Sequence, residues 1–178
     1  MLKGRMGKNR RPPRKEFDRQ DYRRALGQYA TGVAVVTTRG REGQRVGMTV
    51  NSFTSVSLDP PLILWCLAKD SPSCVEFTQA SHFAVNVLAS DQHFLSRKFA
   101  AQNEDRFADV ECADGPESLP LLVGTTAHFI CRRAREIDGG DHIIFVGEVQ
   151  RYEWREGKPL VFHAGRYHVT TRHPDVRE

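Results

Sequence analysis

One stretch, residues 46–61, constrains the fold of this chain more than any other part of the sequence. It reads V-G-M-T-V-N-S-F-T-S-V-S-L-D-P-P, and apolar residues recur at even-numbered positions, namely Val46, Met48, Val50, Val56 and Leu58. A period of two is typical of a β-strand, in which alternate side chains point to one face. The pattern therefore predicts one long strand, and a bend within it, because about 13 residues exceeds the usual strand length.

The opposite face of this predicted strand indicates a ligand site. It carries small or uncharged side chains, which are Gly47, Thr49, Asn51, Phe53, Ser55 and Ser57. A strand face that only meets water usually carries Lys, Glu or Arg, whereas short hydroxyl and amide side chains leave room for a ligand and can bond to its polar edge. An ordinary half-exposed strand with Thr and Ser on it remains the alternative at this point.

The positive charge of the chain belongs to its first residues. The net charge is +4, yet residues 1–15 hold seven Lys or Arg and no acid. The remaining 19 basic and 22 acidic residues leave the sequence from Glu16 onward at −3. We expect a basic, disordered tail at residues 1–15 and one domain over residues 16–178. Nucleic-acid binding through the basic tail is an alternative. The net negative charge of the domain argues against it.

Several functional classes have no support in the sequence. No run approaches the roughly 18 apolar residues of a membrane span, and the N-terminus lacks a secretory core, so we expect a cytoplasmic protein without a membrane partner. The four cysteines lack C-x-x-C spacing and the seven histidines lack H-E-x-x-H spacing, so no metal site is predicted. A nucleotide would not bind on a P-loop or a G-x-G-x-x-G turn, because neither motif occurs.

The remaining sequence predicts strands in hairpin order with a few helices between them. Strands are expected at residues 33–38, 46–58, 62–67, 82–88, 127–137, 142–154 and 160–162. Helices are expected at residues 18–30, capped by Asp18, at 71–80, and from Asp91 to about Ala101. Residues 102–125 are predicted to be loop with a short helix near 104–108. This order favours a mainly β fold with inserted helices, a small antiparallel barrel, over a doubly wound sheet.

Six short segments occur in a fixed order along the chain. They are T-G-V-A-V-V-T-T from Thr31, G-M-T-V-N-S-F-T-S-V-S-L-D-P-P from Gly47, F-A-V-N-V-L from Phe83, L-S-R-K-F-A from Leu95, G-G-D-H from Gly139 with G-E-V from Gly147, and P-L-V-F-H-A-G-R-Y from Pro159. In order and spacing, the segments resemble the flavin reductase-like proteins, whose fold is the FMN-binding split barrel, an antiparallel split β-barrel. This family includes the reductase components of two-component flavin-dependent monooxygenases. The resemblance covers essentially Phe17 to Tyr167.

The resemblance implies roles for particular residues. The isoalloxazine and ribityl chain of a flavin would be held by Val46, Gly47, Met48, Thr49, Asn51 and Ser52. Backbone contacts to the flavin would come from Cys66, Leu67 and Ala68, and the phosphate would lie at Ser73, at the start of a helix. The site would be closed by Lys98 and Phe99. The nicotinamide would meet Phe162, His163, Ala164 and Gly165.

His142, in the G-G-D-H segment, is placed by the resemblance near the flavin and the incoming nicotinamide, as an orienter or proton donor. For three of these residues, a purely structural role remains open as the alternative. Phe99 is apolar on a helical face and is also expected in a core, Lys98 is also expected in solvent, and His142 is also expected to bond to loop backbone.

The function implied by the resemblance is that of an NAD(P)H-dependent flavin reductase. Such an enzyme transfers a hydride from NADH or NADPH to FAD or FMN and supplies reduced flavin to a separate monooxygenase. The residues leave both cofactor choices open, and relatives of this kind imply a homodimer. The alternative is a non-catalytic flavin carrier or redox sensor, which would need no nicotinamide pocket at residues 162–165.

Overall fold

The computed structural model describes residues 17–101 and 105–175, which form a mainly β fold. The predicted tail at residues 1–15 lies outside the described residues. The strands are β1 Thr31–Gly32, β2 Ala34–Arg39, β3 Arg45–Val50, β4 Thr54–Leu58, β5 Pro61–Ala68, β6 His82–Val87, β7 Cys112–Asp114, β8 Pro120–Leu122, β9 Ala127–Asp138, β10 His142–Trp154, β11 Leu160–His163 and β12 Arg166–Val169. The helices are α1 Arg19–Leu26, α2 Cys74–Gln79 and α3 His93–Ala100, with a 3₁₀ turn at Pro116–Ser118. In the described part of the chain, no helix has the length and apolar character needed to cross a membrane.

A seven-stranded antiparallel sheet forms the body of the fold, in the order β3-β2-β6-β9-β10-β5-β4. Its two edge strands, β3 and β4, are consecutive in sequence and are joined only by residues 51–53. So short a link requires the two edges to approach each other, which curves the sheet into a barrel. The backbone N–H of Cys66 on β5 donates to Ser52 Oγ at 2.9 Å and ties the link to the strand next to the edge strand β4. The predicted antiparallel barrel is confirmed.

The prediction of one continuous strand over residues 46–58 is wrong. The stretch is divided between β3 and β4, on opposite edges of the sheet. On β3, Val50 is buried, but on β4 the side chains of Val56 and Leu58 are 50% and 94% exposed. The apolar alternation lapses at Ser52 and Thr54, where the strand breaks, but it resumes at even positions from Val56, so the pattern suggested a bend rather than two strands.

The main core fills the inside of this sheet around Trp65. Alternate residues of β5 point inward, so Ile63, Trp65 and Leu67 are buried while their neighbours are partly exposed. The Trp65 ring stacks on Phe145 with centroids 4.7 Å apart and an interplanar angle of 11°, and the ring of Phe83 meets it edge-on. These large rings supply much of the apolar area that the fold removes from water.

The helix ends differ from the predicted ones by a few residues. Asp18 caps α1 as predicted, its Oδ1 accepting from Gln20 N at 2.8 Å, but the helix ends at Leu26 rather than near residue 30. The helix α3 is preceded by Gln92, not capped by Asp91. The buried Gln92 side chain instead accepts from Ala89 N at 3.0 Å and donates to Val123 O at 2.8 Å, which joins two loops.

The segment predicted to be irregular contains the small hairpin β7–β8, which docks on the sheet through buried polar groups. Asn86 Oδ1 accepts from Leu122 N at 2.9 Å, while Asn86 Nδ2 donates to Val35 O at 3.0 Å. Thr37 Oγ1 donates to Pro120 O at 2.6 Å. In place of the short helix predicted near residues 104–108, the described residues 106–109 form a turn. Residue 104 lies outside the described residues.

A second, three-stranded sheet contains the C-terminal strands in the order β1-β11-β12. The predicted strand at 160–162 is β11, but the chain then turns back as β12 rather than ending in a turn. The two residues between these strands, Ala164 and Gly165, have φ of 47° and 79°. Two positive φ values in a two-residue connection are typical of a type I′ hairpin.

Candidate functional site

Strand β3 rests on two aromatic rings at Gly47. A Cβ at this position would lie 2.8 Å from Phe99 Cε1 and 3.1 Å from Phe107 Cζ. The two rings meet edge to face, with centroids 4.9 Å apart. Phe99 is fully buried and therefore cannot move aside. Only glycine fits here without displacing a neighbour, so the backbone of β3 is held in a defined place.

A first cleft of about 270 Å³ meets β3 at Val46 and Gly47. On its far side lies Ser73, the residue before α2, whose side chain is nearly buried. The lining is Gln44, Arg45, Val46, Gly47, Pro72, Ser73, Glu76, Asp105, Arg106 and Phe107. The helix α2 has six residues, so its N-terminus adds little field. The lining carries two arginines and two carboxylates, and Arg45 also pairs with Asp114 at 3.3 Å, so Arg106 is the cation that lies beside Ser73.

Arg106 joins three segments around the first cleft. Its Nη1 donates to Gly47 O at 2.8 Å and to Ser73 Oγ at 3.3 Å, and its Nε donates to Ala101 O at 2.8 Å. Burial lowers the pKa of the Arg106 guanidinium from its ordinary value, because water is replaced by protein around the charge. The planar guanidinium suits several fixed acceptors at once, as well as an oxyanion.

A second cleft of about 230 Å³ meets the same strand further along, at Thr49 and Val50 and at Asn51 beyond its end. Its lining, which holds no charged side chain, is Val33, Thr49, Val50, Asn51, Ser96, Ala100, Phe162 and Tyr167. Thr49 Oγ1 donates to Ser96 O at 2.7 Å, which joins β3 to α3. The rings of Phe162 and Tyr167 lie 5.5 Å apart and form the wall on the side of β11 and β12.

The end of β5 carries a third group of predicted site residues. Ala68 pairs in register with His142, and Lys69 N donates to Asp141 O at 3.0 Å. His142 Nδ1 lies 2.7 Å from Asp141 Oδ1. This hydrogen bond is the main cause that lowers the pKa of the Asp141 carboxyl. Because an ionised carboxylate only accepts, the bond places a proton on Nδ1 of the half-buried imidazole.

Cys66, on the same strand, has a thiol whose pKa is raised by burial, against a smaller lowering effect of the hydrogen bond with Ser52. The backbone N–H of Cys66 already has Ser52 Oγ as its acceptor. Leu67 is buried in the main core, and Met48 packs against that core from β3.

The structure brings many, not all, of the predicted residues to the two clefts. Val46, Gly47 and Ser73 meet at the first, and Thr49, Asn51 and Phe162 at the second. Phe99 lies behind Gly47 with no exposed surface, so it supports β3 from within the core.

The other predicted residues line neither cleft. Lys98 is half-buried on α3. Ala164 and Gly165 form the tip of the β11–β12 hairpin, and the ring of His163 lies 5.7 Å from that of His168.

Among the cleft residues that were not predicted from the sequence, three make hydrogen bonds across the site: Arg106, Ser96 and Tyr167. Arg106 lies in a polar segment without periodicity, so no local pattern marked it. Ser96 and Tyr167 belong to two of the six segments that carry the family resemblance, L-S-R-K-F-A and P-L-V-F-H-A-G-R-Y, which were the available signal. Within residues 17–101 and 105–175, no three His, Cys, Asp or Glu side chains gather as metal ligands would.

The chain is similar in sequence to known flavin reductases. Residues 26–171 match the family described as flavin reductase like domain. The chain is 49% identical over 148 residues to the FMN reductase (NADH) SmoA of Agrobacterium fabrum, covering 83% of this chain and 84% of that protein. It is 38% identical over 152 residues to HsaB of Rhodococcus jostii, the reductase subunit of a flavin-dependent monooxygenase, covering 85% and 77%. Three other relatives are longer, and the chain spans 44%, 66% and 48% of their lengths.

A solved structure has the same fold and was obtained with ligand fragments. It is the NADH:FAD oxidoreductase SgcE6 of Streptomyces globisporus in complex with NAD and FAD fragments. The superposition has a TM-score of 0.82 at 41% identity and covers 90% of this chain and 96% of that chain.

Proposed function

Because the chain belongs to the flavin reductase like domain family, we propose that it is an NAD(P)H-dependent flavin reductase. It reduces FAD or FMN with NADH or NADPH and supplies the reduced flavin to a separate flavin-dependent monooxygenase. Relatives named as an NADH-dependent FMN reductase and as the reductase subunit of a monooxygenase support this activity and this kind of partner.

The observation that carries the proposal is the pair of clefts at successive positions of β3. A flavin nucleotide combines a flat, uncharged ring system with an anionic phosphate group. The second cleft, lined without charge and walled by Phe162, suits a flat ring, and the first, with Arg106 beside Ser73, suits a phosphate. The residues present therefore fit the cofactor. Val46 to Thr49, Asn51 and Ser52 would hold it along the strand.

The protein's contribution is to bind and orient. When bound, the flavin accepts a hydride from the reduced nicotinamide, a reaction that belongs to the two cofactors. The contact of β3 with the rings of Phe99 and Phe107 at Gly47 fixes the position of the strand. From β5, Cys66 to Ala68 would flank the cofactor. Phe162 to Gly165 would meet the nicotinamide, and the uncharged lining of the second cleft would orient the flat ring.

His142 would act as an orienter or proton donor. Its Nδ1 is occupied by Asp141, so a proton exchanged with a ligand would be carried on Nε2. Lys98, which is half-buried on α3, would approach the phosphate from that helix. Both roles are tested by substitution, His142→Asn and Lys98→Met, with the flavin and nicotinamide KM values measured separately.

A homodimer in the cytoplasm is part of the same proposal. The helix α1 buries none of its residues, and apolar side chains on and around it are at least half exposed, namely Phe17, Tyr22, Leu26 and Tyr29. An apolar surface of this kind supports a contact with a second copy. Light scattering after gel filtration should give twice the mass of one chain, and a monomer at all concentrations would contradict this part.

The activity is tested by mixing the purified protein with NADH or NADPH and following the nicotinamide absorbance, with FAD or FMN added in turn. We expect oxidation that requires flavin and saturates with it, and the four combinations identify the preferred pair. A protein that binds flavin but oxidises neither nicotinamide would be a carrier or sensor, and the roles of residues 162–165 would be withdrawn.

A further inference from the structure

The two walls of the second cleft are joined by one side-chain hydrogen bond. Tyr167 Oη on β12 lies 2.9 Å from Ser96 Oγ on α3. The carbonyl oxygen of Ser96 accepts from Thr49 Oγ1 on β3 at 2.7 Å. Ser96 thus contacts the strand proposed to hold the flavin through its backbone, and the sheet proposed to meet the nicotinamide through its hydroxyl.

This bond joins β12 to α3 through side chains, in addition to the pairing of β12 with β11. β12 is an edge strand, with β11 as its neighbour in the three-stranded sheet. Of its four residues, Tyr167 is the one that is not exposed, and its ring packs against the core cluster that contains Leu95 and Phe99. Ser96 is 1% exposed and Tyr167 is partly buried, so the hydrogen bond is largely shielded from bulk solvent.

We propose that Tyr167 is a positioning residue for the nicotinamide, acting through its hydrogen bond to Ser96. The bond holds Phe162, which pairs in register with Tyr167, at a set distance from Thr49 and Asn51 across the cleft. The inference rests on the proposed function and deepens it, because it assigns a residue to the binding of the second substrate.

If Tyr167 has this role, its loss should weaken the binding of NADH more than the binding of flavin. Without the bond, the β11–β12 hairpin must be ordered when the nicotinamide binds, so the cost falls on binding of NADH. We expect Tyr167→Phe to raise the KM for NADH by about 3- to 10-fold, the range for loss of one ordinary hydrogen bond. The Kd of oxidised flavin should stay within about twofold, because Tyr167→Phe keeps the aromatic ring that lines the second cleft and removes only the hydroxyl, while β3 keeps its contacts with the rings behind Gly47.

The experiment compares Tyr167→Phe, Ser96→Ala and the double variant with a matched control, Tyr152→Phe. Tyr152 lies on β10 and is 66% exposed. Flavin Kd is measured by fluorescence quenching, and NADH KM and kcat are measured by absorbance. Hydrogen exchange of the backbone amides is measured on the ligand-free protein. The expected result is faster exchange in β11 and β12, unchanged exchange in α2, and a double variant no worse than the worse single one.

Three results would overturn the inference while leaving the reductase proposal intact. The first is a Tyr167→Phe enzyme whose NADH KM and hydrogen exchange equal those of Tyr152→Phe. The second is a double variant in which the increases in NADH KM of the two single variants multiply. The third is a loss of flavin affinity in Tyr167→Phe as large as its loss of affinity for NADH. If the wild-type protein oxidises no nicotinamide with either flavin, the proposed function fails instead. In that case unchanged exchange in β11 and β12 of Tyr167→Phe would separately refute the positional role of the bond.

Discussion

Replacing Gly47 with alanine adds one methyl group where β3 rests on two aromatic rings. The added carbon would lie 2.8 Å from Phe99 Cε1, 3.0 Å from Phe99 Cδ1 and 3.1 Å from Phe107 Cζ, whereas ordinary contacts of a Cβ begin at 3.4 Å. Because Phe99 has no exposed surface, the clash is relieved only by moving β3 or by disturbing the core.

The expected cost follows from these distances. Overpacking by one methylene or methyl group typically destabilises by about 1–3 kcal/mol. With a rigid neighbour on one side, we expect Gly47→Ala to lower the free energy of unfolding by about 2 kcal/mol, which for a domain of this size lowers Tm by about 4–8 °C. A displaced β3 also changes both clefts, so flavin affinity should fall together with stability.

Urea unfolding followed by circular dichroism measures the stability change, and flavin fluorescence quenching measures the affinity. Gly32→Ala is the matched control, because a Cβ there meets nothing within 4 Å and φ is not positive. It should change the free energy of unfolding by less than about 0.5 kcal/mol. Adding Phe99→Leu to Gly47→Ala should recover part of the flavin affinity. A Gly47→Ala protein as stable as the control would refute the inference that the two rings set the position of β3.

Three further predictions test the fold and the site. Arg106→Lys keeps the charge but loses the planar set of donors, so flavin affinity in quenching titrations should fall about tenfold, and an unchanged Kd would mean that charge alone suffices. Asn86→Leu leaves a buried carbonyl and a buried N–H without partners and should lower the free energy of unfolding in urea by about 2–4 kcal/mol, whereas a loss below about 1 kcal/mol would contradict the hydrogen bonds described. Lys69→Ala removes the hydrogen bond that is the main cause of the lowered pKa of Asp138, so that pKa should rise toward 3.8. In the wild-type protein the Lys69–Asp138 ion pair should therefore persist to a lower pH than a free aspartate would allow, and it should be lost only as pH falls through the depressed pKa. Carboxyl NMR titration of both proteins checks these two statements. Equal pKa values of Asp138 in the two proteins would contradict them.

Local signals in the sequence were sufficient for the hairpins. The D-G-G-D turn and the apolar runs on either side predicted strands at 127–137 and 142–154, and the structure has β9 Ala127–Asp138 and β10 His142–Trp154. Hairpin registers depend on the turn and on neighbouring residues, so the information lies within the segment itself. The start of α1 at Asp18 was predictable for the same reason, because a cap acts over three residues.

The start of α3 and the positions of Arg106 and Tyr167 depend on contacts between residues far apart in the sequence. Gln92 precedes α3 because its side chain joins Ala89 to Val123, which the local sequence does not indicate. Arg106 lies 59 residues from Gly47, and Tyr167 lies 71 residues from Ser96. Contacts over such separations leave no periodic trace in a sequence, so neither residue was marked by a pattern of its own.

The sequence by itself determined that the chain is mainly β, that many of its strands follow one another in hairpins, and that alternate residues from Gly47 to Ser57 are uncharged, which predicts a ligand site. Only the tertiary structure decided that residues 46–58 divide between the two edges of one sheet and that two clefts meet β3. The physical reason is that closure of a sheet depends on where its edges meet in space, whereas the alternation of side chains is the same in one long strand and in two short ones.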